Sequence, residues 1–151
     1  MDIDLPDVVA EVRAAFEAYE RALVANDIAA LDAVFHDDPR TIRFGGGENL
    51  FGYAEIKAFR AARSPAGLAR TLSRTVITAY GRDTAIASTL FHRPTMPGKI
   101  GRQMQTWVRF PRGWRVVAAH VSVIAEGSVH PTCPNGGGLR SSAPSSSAVS
   151  A

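Results

Sequence analysis

Two tight connections do most to limit what this chain can fold into. Gly81-Arg-Asp83 and Pro111-Arg-Gly113 each separate strand-like segments by only a few residues. A link that short joins antiparallel neighbours, because a parallel return needs a crossover of about a dozen residues or more. Four segments, about 69–80, 83–93, 102–110 and 114–125, therefore read as an antiparallel meander. Thr75, Val76, Ile77, Trp107, Val108, Val116, Val117, Val121 and Val123 supply the β-branched and aromatic side chains that strands favour.

Ahead of the meander the pattern is helical. Val12, Phe16, Tyr19 and Leu23 form one helical stripe within 6–25, widened by Val9 and Ala15. Pro6 fits the first turn, and Asp4 or Asp7 is the expected cap. Asn26 tolerates a left-handed exit, and Asp27 is placed to cap a second, short helix carrying Ile28, Leu31 and Phe35. Thr41–Phe44 and Asn49–Phe51 flank Gly45-Gly-Gly47 as a small hairpin. Tyr53–Arg63 is a third helix with Ile56 and Phe59 inward, ended before Ser64-Pro65. Helices first and a meander afterwards make an α+β layout. Three short helices on a strongly curved antiparallel sheet leave a cone with an internal pocket at its open end.

This cone domain should occupy residues 1–126, and an apolar fraction of 46% supports its core. From Gly127 to Ala151 the chain holds seven Ser, four Gly and three Pro around a single charge, Arg140. That composition cannot offset its ordering entropy, so 127–151 reads as a flexible tail. His130 and Cys133 belong to it and are assigned no chemistry. A lone cysteine forbids an internal disulfide, and the acidic N-terminus has no secretory h-region, so a cytoplasmic setting is expected. No run is long enough for a membrane span.

The net charge of +3 conceals a split. Residues 1–60 carry 6 basic and 12 acidic side chains, and residues 61–151 carry 11 and 2. A basic half can signal nucleic acid, a small anion, or a face that pairs with the acidic half. Aromatics do not interleave with the basic residues as stacking platforms would, so nucleic acid is not expected. A phosphate loop, a dinucleotide fingerprint, a His-x-x-x-His spacing and a Gly-x-Ser-x-Gly elbow are all absent from the sequence.

Several residues remain as candidates. Tyr19 is either a core tyrosine tied to backbone or a phenol offered to a cavity as a proton donor. Arg43 alternates with Ile42 and Phe44, so on pattern alone it points away from the core; at a cavity mouth it could grip a carboxylate. Gln103, Gln105 and Trp107 share one strand face, opposite Arg102, Met104 and Thr106. Amides beside an aromatic suit either an exposed polar face or a wet wall binding ureas, amides or carboxylates. Trp114, Val116, Ala118, His120 and Ser122 share a face that runs from apolar to polar, as on a strand leading from a core to a pocket. His120 is then a base, a substrate donor or a satisfied core histidine. His36 and His92 are weaker candidates.

Together these stretches resemble a known family. Ala18-Tyr-Glu-Arg-Ala-Leu-Val-Ala-Asn-Asp27, Arg43-Phe-Gly, Glu48-Asn-Leu-Phe-Gly52, Phe59-Arg-Ala-Ala-Arg63, Gly101-Arg-Gln-Met-Gln-Thr-Trp107 and Gly113-Trp-Arg-Val-Val-Ala-Ala-His-Val-Ser122 carry the likeness. They look like the AtzH-like family, which includes the oxalurate-catabolism HpxZ proteins, within the nuclear-transport-factor-2-like (SnoaL-like, cystatin-like) superfamily. The resemblance spans about residues 5–125. It implies a cofactor-free, metal-independent decarboxylating amidohydrolase acting on a 1,3-dicarboxyurea-like substrate in nitrogen catabolism. Tyr19 and Arg43 match the family's key groups, which overrides the pattern-only expectation for Arg43. On this basis Gln103, Gln105, His120 and Ser122 would surround the urea, with Arg70 or Arg102 as candidates for a second carboxylate. Met104 departs from the smaller residue usual there. An accessory binding subunit and a proton-transfer isomerase or cyclase are the alternatives. Cones of this type commonly pair through the outer sheet face, so a homodimer is expected.

Overall fold

A computed structural model describes residues 1–127; the segment expected to be a tail, with His130 and Cys133, lies outside the described residues apart from Gly127. Helix α1 (Pro6–Val24) buries Val8, Val12, Phe16, Tyr19, Ala22 and Leu23. Its N-cap is Leu5, with no side-chain cap bond, so neither Asp4 nor Asp7 caps it. Asp4 instead joins the N-terminal arm to the sheet: its carboxylate accepts from the Ala79 N–H at 2.9 Å, and its own N–H donates to the Ala79 carbonyl at 2.9 Å. Asn26 takes the left-handed conformation (φ 50°), and Asp27 caps α2 (Ile28–Val34) by accepting from the Ala30 N–H at 3.1 Å.

The hairpin strands β1 (Ile42–Phe44) and β2 (Asn49–Phe51) lead into α3 (Tyr53–Ala62). Helix α3 buries Ile56, as expected, but its second fully buried position is Arg60; Phe59 is only half-buried. Arg60 is satisfied there. It donates to the Leu31 carbonyl at 3.0 Å, pairs with Asp32 at 3.2 Å and lies 4.2 Å over the Phe35 ring. A buried cation is tolerated only with partners of this kind.

Four long strands follow: β3 (Thr71–Tyr80), β4 (Thr84–His92), β5 (Lys99–Phe110) and β6 (Gly113–Ala125). The sheet order is β2-β1-β6-β5-β4-β3. The meander is antiparallel throughout, as the tight links require, whereas β1 pairs with β6 in parallel. The three helices cover one face of this sheet, and that inner face holds Ile77, Ala79, Ala85, Ala87, Trp107 and Val116 in one core with α1 and α2.

Two register shifts bend the sheet, one in β3 between Ser73 and Val76 and one where Thr106 pairs with Ala118 but Trp107 pairs with Val116. The second leaves Val117 as an extra residue in β6, and an extra residue inverts the inward–outward alternation beyond it. Trp114 and Val116 are buried inside, as expected. After the bulge, Ala119, Val121 and Val123 take the inner positions opposite Gln105, Gln103 and Gly101. Ala118, His120 and Ser122 turn to the outer face with Thr106, Met104 and Arg102. The single face expected for Trp114 through Ser122 is therefore two half-faces.

Part of the charge split is helix–sheet pairing. Arg82 reaches Asp7 at 3.1 Å and Arg109 reaches Glu11 at 2.9 Å, each joining the meander to α1. The Arg82 guanidinium holds the Asp7 carboxyl below its ordinary value. Among the described residues no helix is long and apolar enough to cross a membrane.

Candidate functional site

The bulge decides which way Arg43 points. Because β1 runs parallel to β6 downstream of Val117, Arg43 pairs with inward-facing Ala119, while Ile42 and Phe44 pair with outward-facing Ala118 and His120. Arg43 is thus directed inward, with its side chain 13% exposed. Its Nη1 donates to Glu48 Oε1 at 2.6 Å, and its guanidinium lies 5.6 Å from the Phe59 ring centre. Phe44 lies outside, edge-on to Phe51 and His120. The strand's own alternation gave the wrong face, and the resemblance gave the right one.

Arg43 opens onto a cavity of about 240 Å³ between the hairpin, α3 and the inner sheet. Arg63 and Arg93 line it with Arg43, together with Glu48, Phe91 and Val121. A space of this size suits a small molecule rather than a polymer or a steroid-sized ligand. Burial, reinforced by the nearby Arg43 charge, pulls the Arg63 guanidinium below the usual arginine range; burial and Arg70 do the same to Arg93. Glu48 fits against Arg43 because residue 45 is glycine: a Cβ there would fall 1.8 Å from the Glu48 carboxylate.

Behind the cavity a polar chain crosses from helix to sheet. Arg70, 2% exposed, makes a two-pronged ion pair with Glu20 and donates to Gln103 Oε1 at 3.0 Å. Its guanidinium lies 4.5 Å over Phe91, and Arg93 lies 5.3 Å over the same ring. Tyr19 precedes Glu20 on α1 and is 4% exposed. Its hydroxyl makes no hydrogen bond to protein among the described residues, unlike a core tyrosine tied to backbone.

The inner face of β5 adds amide atoms without protein partners. Gln103 and Gln105 are 2% and 1% exposed, yet Gln103 Nε2 and both amide atoms of Gln105 are unpaired, as is the Trp107 indole N–H. Gln105 stands between Ala87 and Ala119, and Gln103 stands beside cavity-lining Val121. Each orphaned buried polar group costs roughly 1–3 kcal/mol, so a row of them asks for a polar occupant.

The sequence candidates therefore separate. Tyr19, Arg43, Arg70, Gln103 and Gln105 all lie on the inner side, where Arg43 alone of the five lines the cavity and Arg70 bonds Gln103. Arg102, His120 and Ser122 do not: they form an outer hollow of about 290 Å³ with Met104, where Arg102 Nε donates to Ser122 Oγ at 3.1 Å. Arg63, Arg93, Glu20 and Glu48 were not identified as site residues. Arg63 lies in the stretch carrying the resemblance, and Glu20 directly follows Tyr19; Arg93 had no local signal.

A larger hollow of about 430 Å³ lies by Asp32, His36, Tyr53, Phe110 and Arg115. Its groups are mutually engaged: His36 stacks on Phe110 at 4.0 Å, and Tyr53 donates to the Asp32 carbonyl at 3.2 Å. Burial, with the Asp32 and Asp37 carboxylates, pushes Tyr53 up and keeps it protonated. None of its side chains is among the buried unpaired groups, which favours the cationic cavity as the site.

Gly101 supports that cavity from below. A Cβ there would lie 2.1 Å from the Phe91 ring. Gly101→Ala should displace the ring carrying Arg70 and Arg93 and cost about 1–3 kcal/mol. The urea unfolding midpoint should fall; an unchanged midpoint would contradict the packing described.

Comparison with solved structures finds close likenesses. A protein of unknown function from Pectobacterium atrosepticum SCRI1043 is 58% identical, aligned over 82% of this chain and 96% of that one, with a TM-score of 0.80. A cystatin-like fold protein from Burkholderia xenovorans LB400 is 50% identical over 83% and 98%, also with a TM-score of 0.80. An NTF2-like protein with a cystatin-like fold from Novosphingobium aromaticivorans is 23% identical over 82% and 86%, with a TM-score of 0.64, and shares the fold. No match is found among curated proteins. The AtzH-like family profile matches residues 1–127, the whole of the described fold, and the chain belongs to the AtzH-like family.

Proposed function

We propose that this protein is a cofactor-free decarboxylating amidohydrolase of small carboxylated ureas, of the 1,3-dicarboxyurea kind. The observation that carries this reading is the set of buried glutamine amide atoms without protein partners, Gln103 Nε2 and both of Gln105, on the same inner sheet face as a chamber lined by guanidinium groups. A urea presents N–H donors and a carbonyl acceptor, which amides complement. Its N-carboxylates complement arginine forks.

The reaction needs one proton. A dicarboxyurea dianion loses CO₂ when the bond between nitrogen and carboxylate carbon breaks and the electron pair stays on nitrogen. A proton delivered to that nitrogen gives the monoanionic monocarboxyurea. Tyr19 is the donor in this scheme, and water restores its proton. Arg43 orients the reacting carboxylate through the nitrogens not engaged by Glu48, and Gln103 and Gln105 hold the urea. A binding module would show affinity without turnover. Arg43→Ala tests the assignment by CO₂ release from a panel of carboxyureas. A loss of about tenfold or more is expected for one charged anchor; unchanged turnover would sink the role.

Pairing with a second copy through the outer face is part of the same proposal. Phe51, Val76 and Met104 are more than half exposed there. Met104→Arg should shift the light-scattering mass from dimer to monomer, and an unaltered dimer would place the interface elsewhere.

A further inference from the structure

A dianionic substrate needs a second carboxylate site, and the two residues first considered for it are unsuited. Arg102 lies on the outer face. Arg70 points inward, but its charge is already matched by the two-pronged Glu20 pair, and its Nη2 also donates to Gln103. Two other guanidinium groups line the cavity without any carboxylate partner. Arg63 makes one long contact, Nη2 to Asn26 Oδ1 at 3.4 Å, and its Nε is buried and unpaired. Arg93 rests over the Phe91 ring, and its Nε is likewise buried and unpaired. These come from separate elements, the C-cap of α3 and the loop after β4, so the fold brings two forks without a direct ion pair to one chamber.

We propose that Arg63 and Arg93 form the second carboxylate clamp, which makes the site selective for small dicarboxylated molecules over monocarboxylated ones. This rests on the carboxyurea reading and adds to it the residues that set substrate charge. The nearest carboxylates, Glu48 and Glu20, are already paired with Arg43 and Arg70, so these desolvated cations lack a partner of their own, and a bound carboxylate would supply one. Their lowered affinity for protons, caused by burial and by neighbouring arginines, fits that picture. Each fork would receive one carboxylate edge through charge-assisted hydrogen bonds.

Equilibrium binding of malonate and acetate, neither of which can decarboxylate through a urea nitrogen, tests the clamp apart from turnover. The wild-type protein should prefer malonate. Arg63→Gln and Arg93→Gln should each weaken malonate about tenfold or more and bring the two probes toward equal affinity. The ligand-free thermal midpoint should hold or rise in both, since an unpaired buried cation is removed; a structural role would lower it. Arg63→Lys keeps the charge without the fork and should also lose most of the preference. Retained preference in both Gln variants, or absence of any malonate preference in the wild type, would overturn the clamp. Failure of the carboxyurea reading would appear separately, as dicarboxylate binding with no CO₂ release.

Discussion

Tyr19→Phe is expected to lower carboxyurea turnover by about 10²–10⁴-fold, the range associated with a lost general acid. It should do so with little change in stability. The ring is packed in the core, 6.4 Å from the Phe35 ring, and phenylalanine keeps that packing. The hydroxyl makes no hydrogen bond to protein among the described residues, so its removal strands no partner. A core tyrosine anchored to backbone would behave in the opposite way, losing stability with little effect on chemistry. Measuring CO₂ release and the urea midpoint on one preparation separates the two. Full turnover in the variant would remove Tyr19 from the mechanism.

The largest structural effect should come from breaking the Glu20–Arg70 pair. The two side chains are 12% and 2% exposed and join α1 to the residue leading into β3. Arg70→Met leaves the Glu20 carboxylate without its cation and Gln103 Oε1 without its donor. Loss of one partner from a buried pair costs about 3–5 kcal/mol, a large share of the stability of a domain this size. Chemical denaturation of Arg70→Met should show that loss. Adding Glu20→Gln should recover part of it, because the orphaned charge goes with it. Additive losses in the double variant would mean that the two side chains are not coupled.

The fold was legible because its main signals are local. The Val12–Phe16–Tyr19–Leu23 stripe, the Asn26-Asp27 break and the two short strand links each act within a few residues. The layout follows from them. The orientation of the site was less legible, because it depends on one long-range register event. Nothing around Val117 marks it as the extra residue in β6; it is extra only relative to β5. Strict alternation therefore carried His120 and Ser122 inward and Arg43 outward, and the bulge reverses all three. Gln103, Gln105 and Trp107 share one face, as alternation required, because β5 adds no residue of its own; alternation alone left open whether that face was outer or inner. Glu48 and Arg93 were not identified because their roles depend on tertiary neighbours: the Arg43 fork in one case, and Phe91 beside Arg70 in the other. The absence of a Cβ at Gly45 and Gly101 becomes informative only once those neighbours are known.

The most direct test is the rate of CO₂ release from 1,3-dicarboxyurea with the wild-type protein, compared with the spontaneous rate in the same buffer and with Tyr19→Phe at equal concentration. The carboxyurea account predicts release well above the spontaneous rate in the wild type and close to it in the variant. A wild-type rate no faster than buffer, or a variant as fast as the wild type, would contradict it.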